Sequence, residues 1–378
     1  MRLKVLFVIE NISVGGAERV FVNLLNNINN IIFDPVLVII NRGWHGNTYK
    51  TPKGVRLINL DTKKTKALIP LARTIKKEKP DVVFSNLAPI NILCLMSKLL
   101  LRNNQTRYII RETTIRSISI SETKSNPLIR FLYTQLVRIF YPYADSIVAL
   151  SNGSKEDLIA NYGIDAEKIE VIYNPIDTVN IVSNSMEKVN DFPKWDSKFN
   201  LISVGSLVKS KGYEYLIGAM KELITNRCQN IRLIILGTGP LENQLKELVT
   251  QYNLNNYIKF LGFRENPFKY MRKCDAFILP ALWEGFGNVI TEAMACELPV
   301  ISTSCESGPK EIIEHSETGI LVEPKNIGAL VTAIQTLMDN PDYANTLAKN
   351  ALRRVKDFDV SIIIKQYEQH ILAVFNRR

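Results

Sequence analysis

Histidine is the scarcest chemically useful residue in this sequence, three in 378 positions. Five cysteines accompany them, at 94, 228, 274, 296 and 305, and none forms a C-x-x-C pair. Cys296 and Cys305 could be neighbours, but so few ligands at such spacings exclude a convincing metal cluster. An odd cysteine count fits free thiols in a reducing compartment. Long hydrophobic runs are lacking as well. The first, 5–9, is cut off by Glu10 and Asn11; it is too short for a signal-peptide core and reads better as a buried strand. The stretch 90–101 is interrupted by Asn91 and Lys98, short of the roughly 20 apolar residues that a membrane span needs. No spanning segment is therefore expected, and the cytoplasm is the expected compartment. No low-complexity tract or short repeat appears. Aromatic residues make up 8% and no nucleic-acid-binding module is visible, which argues against a nucleic-acid partner. A G-x-G-x-x-G after the first strand is also missing, since Gly15-Gly16 does not supply it, and this argues against a nicotinamide-dependent dehydrogenase.

What is present describes a folded protein, with 46% hydrophobic and 22% charged residues. The length suits two domains of about 180 residues each. The formal net charge is +10 and it is unevenly placed. Residues 1–180 hold 24 Lys+Arg against 15 Asp+Glu, while the remainder is nearly balanced at 23 against 22. Within 50–138 there are 18 basic and 5 acidic side chains. An excess this local points either to one face meeting something anionic or to a solvated basic surface in a Lys-rich chain.

Short apolar runs alternate with helical patterns, which predicts an α/β protein with parallel sheets. In the first half strands are expected at 5–9, 36–40, 81–84, 107–110, 146–150 and 169–173. Apolar residues at 17, 20, 21, 24, 25 and 28 mark a helix by their spacing. Asn126-Pro127 opens another, with Leu128, Phe131, Leu132, Leu136 and Ile139 on one face. The rhythm fails over 176–199, a polar stretch with Pro193 and Trp195. The expected division is a first domain over 1–180, a linker over 181–199 and a second domain over 200–360. In the second domain strands fit 200–205, 231–236, 257–261, 276–280, 300–303 and 320–323. Helices fit 212–225, 241–252, 287–297, 309–314, 326–339 and 342–354.

In open parallel sheets ligands bind beyond the carboxyl ends of the strands. Four loops there have the composition of a site. The first is Gly205-Ser-Leu-Val-Lys-Ser-Lys211-Gly212, two lysines ahead of a helix start. The second, Gly237-Thr-Gly239-Pro240, allows close backbone approach. The third, Pro280-Ala-Leu-Trp-Glu284-Gly-Phe-Gly287-Asn288, leads into a helix carrying Glu292. Two carboxylates bracketing a flexible loop and a helix N-terminus can hold sugar hydroxyls beside a diphosphate. The fourth is Ser304-Cys-Glu-Ser-Gly308-Pro309-Lys310-Glu311.

Together these loops resemble the nucleotide-binding domain of the retaining glycosyltransferases of family 4. That family has the GT-B architecture of two facing Rossmann-like domains with a cleft between them. The resemblance rests on the E-x7-E pair Glu284/Glu292 and on the G-T-G-P, V-G-S-L-x3-K-G and S-G-P-K-E-I segments in order. In the first half, Gly15-Gly16-Ala17-Glu18-Arg19 resembles the G-G-A-E-R opening of bacterial glycan-assembly members. The likeness spans nearly the whole chain. It implies that Glu284 contacts the transferred sugar, that Glu292 accepts from the ribose and that Lys211 neutralises the diphosphate leaving group. It also implies that Gly205, Ser206, Lys209, Gly237 and Gly239 line the donor. Gly285, Phe286, Gly287 and Asn288, with Val289 beside them, would offer backbone groups. The backbone of Gly262-Phe263-Arg264 would face the base. Gly15 and Gly16 would lie on the acceptor side with Arg111. No metal or other cofactor is implied. The closing helix, about 361–375, would return to the first domain.

Two departures from the family pattern stand out. Ser206 occupies a position where the family has Arg, and Lys209 is expected to compensate in part or else to point to solvent. Where many members carry a His after the fourth N-terminal strand, this chain reads Ile109-Ile-Arg111-Glu112-Thr-Thr114. Glu112 is then the candidate for orienting the acceptor hydroxyl, or it forms a salt bridge with Arg111 or Arg116. Asp357-Phe-Asp359 is a D-x-D with no strand before it and is read as chance, and His45, His315 and His370 receive no role. The function implied is transfer of a sugar from a nucleotide-sugar, UDP-linked, to a glycan or polyprenyl-diphosphate-linked saccharide in surface polysaccharide assembly. The basic segment and the stretch around Arg130, Phe131, Tyr133 and Arg138 would rest on the anionic inner face of the cell membrane. The alternatives are a GT-B sugar-nucleotide epimerase and a basic nucleic-acid-binding protein.

Overall fold

Leu3–Ile9 (β1) is almost wholly apolar, and nearly every residue in it is buried, as expected of a strand covered on both faces of a parallel sheet. The computed structural model describes residues 2–12, 16–41, 52, 54–102, 105–123, 126–193, 199–226 and 230–377. The chain divides into two compact units, Met1–Pro175 with Val360–Arg378, and Ile176–Asp359.

In the first unit β1 is followed by α1 (Gly16–Asn27), β2 (Phe33–Ile39), β3 (Arg56–Asn59), α2 (Leu68–Glu78), β4 (Val82–Asn86) and α3 (Ala88–Leu101). Then come β5 (Arg107–Glu112), α4 (Arg116–Thr123), α5 (Pro127–Phe140), β6 (Ser146–Ala149), α6 (Asn152–Tyr162) and β7 (Ile169–Val171). Among the described residues the strands form one parallel sheet in the order β3-β2-β1-β4-β5-β6-β7. Helix starts follow local chemistry. Asn126 caps α5 by accepting from the amides of Leu128 and Ile129, with Pro127 in the first turn. Ser151 caps α6, which stops at Gly163 in the left-handed conformation.

The second unit begins with α7 (Thr178–Ser185), β8 (Phe199–Val204), α8 (Tyr213–Thr225), β9 (Ile231–Leu236), α9 (Glu242–Gln251), β10 (Ile258–Gly262) and α10 (Phe268–Met271). It continues with β11 (Ala276–Leu279), α11 (Asn288–Ala295), β12 (Val300–Thr303), α12 (Pro309–Ile312), β13 (Ile320–Val322), α13 (Ile327–Asp339) and α14 (Pro341–Arg354). Its strands lie parallel in the order β10-β9-β8-β11-β12-β13. The last helix, α15 (Val360–Asn376), belongs to the first unit. Its Ile363, Ile364, Tyr367, Ile371 and Val374 join the core formed by β1 and α1, and the Tyr367 ring lies 6.0 Å from that of Phe84.

The segment expected to be a linker is corrected in part. The units divide after Pro175, not after residue 180, and Thr178–Ser185 is helical. Asp177 caps that helix at the amide of Asn180 (2.9 Å), and Ile181 is buried. The helix packs on α10 and α11. Of the three apolar residues in this octet only Ile181 is buried, while Val179 and Val182 are exposed, which gives too weak a periodic signal to read from sequence. Trp195 lies outside the described residues, as does Cys228. β3 was not anticipated either: it is a short edge strand with no residue fully buried.

Candidate active site

In the second unit the loops leaving β8, β9, β10, β11 and β12 are stitched together at the carboxyl edge of the sheet. The amide of Gly205 donates to Leu236 (2.9 Å) and that of Leu207 to Thr238 (2.9 Å). The amide of Gly237 donates to Gly262 (2.9 Å) and that of Leu282 to Ser210 (2.7 Å). Several glycines are required by this packing, and at two of them the backbone is also at positive φ. Gly212 has φ +59°, and a Cβ there would lie 2.1 Å from the carbonyl oxygen of Pro280. Gly237 has φ +134°, and its Cβ would lie 2.0 Å from the oxygen of Gly205. The result is a surface built mainly of backbone onto which a few side chains project.

Lys211 and Glu284 project together. Lys211 closes a short 3-10 turn, Lys209–Lys211, and Glu284 stands in the loop after β11; the ammonium donates directly to the carboxylate. Both side chains are largely shielded, 17% and 13% exposed, so water screens the pair only partly. Next to Glu284 the chain turns at Gly285, Phe286 and Gly287 into α11. The Phe286 ring is buried against Phe358, 5.5 Å between centroids, so it anchors the loop and leaves only backbone for a ligand. From below, the Ser307 hydroxyl donates to the carbonyl of Gly285 (2.9 Å). Asn288 and Val289 open α11, whose positive end faces the same edge. Glu292, one turn on, is 2% exposed. Gly239, Ser206 and Lys209 lie in the same group of loops, the last two exposed.

The loop after β10 is tied from a direction the sequence reading missed. Arg264 donates to Asp191 (2.8 Å), to the Tyr270 hydroxyl (3.0 Å) and to the carbonyl of Phe263 (3.2 Å). Tyr270 in turn donates to Asp191. The Tyr270 hydrogen bond, and Arg264 with it, hold the Asp191 carboxyl below its usual range. Phe263 is 41% exposed beside them. Asp191 lies about seventy residues before its partners in the supposed linker, so no local signal could have found it.

In the first unit Glu112 takes the second of its two readings, the salt bridge with Arg116, and the expectation for Arg111 is corrected. Glu112 is fully buried and its carboxylate is saturated. One oxygen accepts from the amide of Thr113 (3.0 Å) and from Arg116; the other accepts from Arg116 (3.1 Å) and the Tyr141 hydroxyl (2.8 Å). Two oxygens offer about four acceptor sites, and all are taken, so this carboxylate holds the fold and not an acceptor hydroxyl. Arg111, expected on the acceptor side, is 1% exposed. Its guanidinium donates to Tyr367 (3.0 Å), Asn86 (2.9 Å) and Asn174, which pins α15 to the ends of β4 and β5. Gly16 is exposed at the start of α1, and Gly15 lies outside the described residues. Burial raises the neighbouring Glu18 carboxyl, against a backbone hydrogen bond and the charge of Arg111.

The remaining polar candidates have structural partners. Asp357 pairs with Arg354 (2.8 Å) and Asp359 accepts from Thr178 (2.5 Å), so the D-x-D is occupied by the fold. His315 accepts from the amide of Leu321 (3.0 Å), His370 bonds Ser146 (2.9 Å), and His45 is outside the described residues. Among the described residues no group of three or more His, Cys, Asp and Glu side chains is placed to hold a metal ion. The described cysteines 94, 274, 296 and 305 are buried and free, with burial pushing every thiol up. No described helix is long and apolar enough to cross a membrane.

Two parallel-sheet Rossmann-like units, the second with a glycine-framed, charge-bearing loop edge, define the GT-B class of glycosyltransferases. The family model for glycosyl transferases group 1 matches residues 185–354, and that for Glycosyltransferase Family 4 matches 14–180. The chain belongs to this family and is a glycosyltransferase. It is 33% identical over 293 residues, 78% of this chain and 76% of the other, to a Campylobacter jejuni enzyme. That relative is named N-acetylgalactosamine-N,N'-diacetylbacillosaminyl-diphospho-undecaprenol 4-alpha-N-acetylgalactosaminyltransferase. A second Campylobacter jejuni relative, 26% identical over 99% of each chain, is named as an alpha-1,4-N-acetyl-D-galactosaminyltransferase acting on a diNAcBac-PP-undecaprenol-linked saccharide. Among solved structures, HepE of Anabaena in complex with UDP-glucose superposes with a TM-score of 0.81 at 22% identity, over 98% of this chain and all of that one.

Proposed function

We propose that this enzyme moves a sugar from a UDP-linked donor to a polyprenyl-diphosphate-linked saccharide, with retention of anomeric configuration and without a metal. The observation that carries the reading is the Lys211–Glu284 contact on adjacent strand-end loops. A donor offers both groups better partners: diphosphate oxygens for the ammonium and sugar hydroxyls for the carboxylate. Lys211 and the positive end of α11 then stabilise the charge that grows on the departing diphosphate, the task a metal performs elsewhere. Glu292 accepts from the ribose. Lys209, exposed on the same turn, takes over part of the charge that Ser206 does not provide. The diphospho-undecaprenol substrates named for the relatives support the acceptor class.

The test is incubation with UDP-N-acetylgalactosamine and other UDP-sugars plus a synthetic polyprenyl-diphosphate saccharide. Product mass and the NMR coupling of the new anomeric proton are then read. Extension of the acceptor with the donor's own configuration is expected, at equal rates in EDTA and in magnesium. An inverted linkage would overturn the retaining assignment, and loss of activity in EDTA would overturn metal independence. Conversion of the donor to another sugar nucleotide without acceptor would identify an epimerase instead.

We also propose that the enzyme works at the anionic cytoplasmic face of the cell membrane. On α5, Leu128, Ile129, Phe131, Leu132 and Ile139 are all at least half exposed, interspersed with Arg130 and Arg138. An apolar face flanked by cations is the arrangement of an interfacial helix.

A further inference from the structure

We propose that Asp191 is a positioning residue for the loop that follows β10, acting through Tyr270 and Arg264, and that it thereby helps set which nucleotide base the donor site accepts. This rests on the reading above that the backbone of Gly262-Phe263-Arg264 faces the base.

The loop is held at both ends. At its start the carbonyl of Gly262 accepts from the amide of Gly237 (2.9 Å), which joins it to the glycine loop after β9. Gly262 itself has φ +71°, a turn that a residue with a side chain adopts only under strain. At its far end Tyr270 is buried in α10 and only its hydroxyl reaches out, to Asp191. The guanidinium of Arg264 fills the space between. Two of its N–H groups are directed by Asp191 and Tyr270, which leaves a third aimed at the carbonyl of Phe263. The orientation of that carbonyl is therefore fixed by a carboxylate some seventy residues earlier in the chain. Further along, the side-chain amide of Asn266 donates to the carbonyl of Asn184 at 2.8 Å, and Lys269 pairs with Glu187 at 3.4 Å. The whole 184–191 stretch thus lies along the 264–270 stretch.

A backbone that reads a base presents fixed donors and acceptors, and a peptide turned over exchanges one for the other. Without the Asp191 carboxylate, Arg264 loses its charged partner and turns to solvent. The Phe263 carbonyl is released with it. The exposed Phe263 ring then also loses its defined direction.

The experiment is calorimetric titration of the full chain with UDP, GDP, ADP and dTDP, for wild type, Asp191→Ala, Asp191→Asn and Tyr270→Phe. The wild type should prefer one of the four. Asp191→Ala should weaken that one about tenfold, the loss of one charge-assisted hydrogen bond, and should leave the others within about twofold. Turnover at saturating donor should be unchanged, so the effect appears in KM and not in kcat. Tyr270→Phe, which removes one hydrogen bond to Asp191 but keeps the Asp191–Arg264 pair, and Asp191→Asn, which keeps an acceptor but not the charge, should each weaken the preference less than Asp191→Ala. If Asp191→Ala keeps the wild-type preference, or weakens all four alike, the inference is wrong while the donor site stands. If the wild type binds none of the four, the donor-site reading falls and this inference with it.

Discussion

At Lys211 and Glu284 two opposite charges already touch, so under the proposed reading neither side chain would have to be ordered when a donor binds. A donor bound there would exchange one set of charge-assisted bonds for another, and the entropy of fixing two long side chains would be largely spent in folding. Lys211→Ala should therefore lower kcat about a hundredfold or more, in the range seen when a donor to a developing oxyanion is removed. Lys209→Ala should cost far less, and if its turnover equals wild type then Lys209 does not offset Ser206. Glu112 gives the opposite expectation. Glu112→Gln leaves the Arg116 guanidinium buried without its counter-charge and should destabilise the protein by about 3–5 kcal/mol in urea unfolding. Near-normal stability with turnover reduced by orders of magnitude would assign Glu112 a catalytic role. The sequence left Glu112 between a catalytic role and a salt bridge, and put Arg111 on the acceptor side, because it shows charge but not enclosure. Both stand at the carboxyl end of β5, where a ligand-facing side chain and a buried tie look alike in one dimension.

Among the elements, α15 makes the longest return along the chain, and one of its ties can be titrated. His370 bonds Ser146 of β6, and burial, helped by Arg377, lowers its pKa from 6.5 to about 4. The folded protein therefore holds this imidazole neutral where the unfolded chain would protonate it. The sign follows directly: the contribution is fully present above about pH 6.5 and is lost as pH falls from 6.5 toward 4, up to about 3 kcal/mol. His370→Gln should flatten the pH dependence of the unfolding midpoint over that window, and an unchanged slope would remove His370 from the account. Most other elements were legible to within a residue or two. The strands at 231–236 and 300–303 and the helices at 213–225 and 327–339 are apolar at the right period and bounded by Gly, Asn or Pro. The elements not read from sequence are β3 at a sheet edge, the connecting helices α2, α3, α4, α6 and α10, and α7, whose stability comes from tertiary contacts more than from its own sequence.

For the whole molecule the main question is where the positive charge goes. Ion pairs take up part of the excess in 50–138, among them Arg56–Glu78, Lys64–Glu10, Lys98–Asp145 and Arg116–Glu112. Lys63, Lys66, Arg73, Lys76, Lys77 and Lys79 remain exposed, as do Arg130 and Arg138 on α5. Such charges act on an anionic surface within a Debye length of about 8 Å at physiological salt. The enzyme should sediment with vesicles containing anionic lipid and not with neutral ones, and binding should weaken as salt is raised. Leu128, Phe131 and Leu132 changed together to Ser should lower binding without altering the unfolding midpoint, since all three are exposed. Equal recovery with both vesicle types would remove the membrane proposal.

Sequence alone determined the alternation of strands and helices, the two α/β domains and the loops that form the site edge. These follow from local period, from glycine and proline placement, and from motif order, all of which act over a few residues. Tertiary structure decided which charges stand together at the site edge and which are ties within the fold. Glu284 meets Lys211 across 73 residues, Asp191 meets Tyr270 across 79, and Arg111 meets Tyr367 across 256. Desolvation and pairing depend on what surrounds a group in space, and at those separations only the folded chain supplies the surroundings.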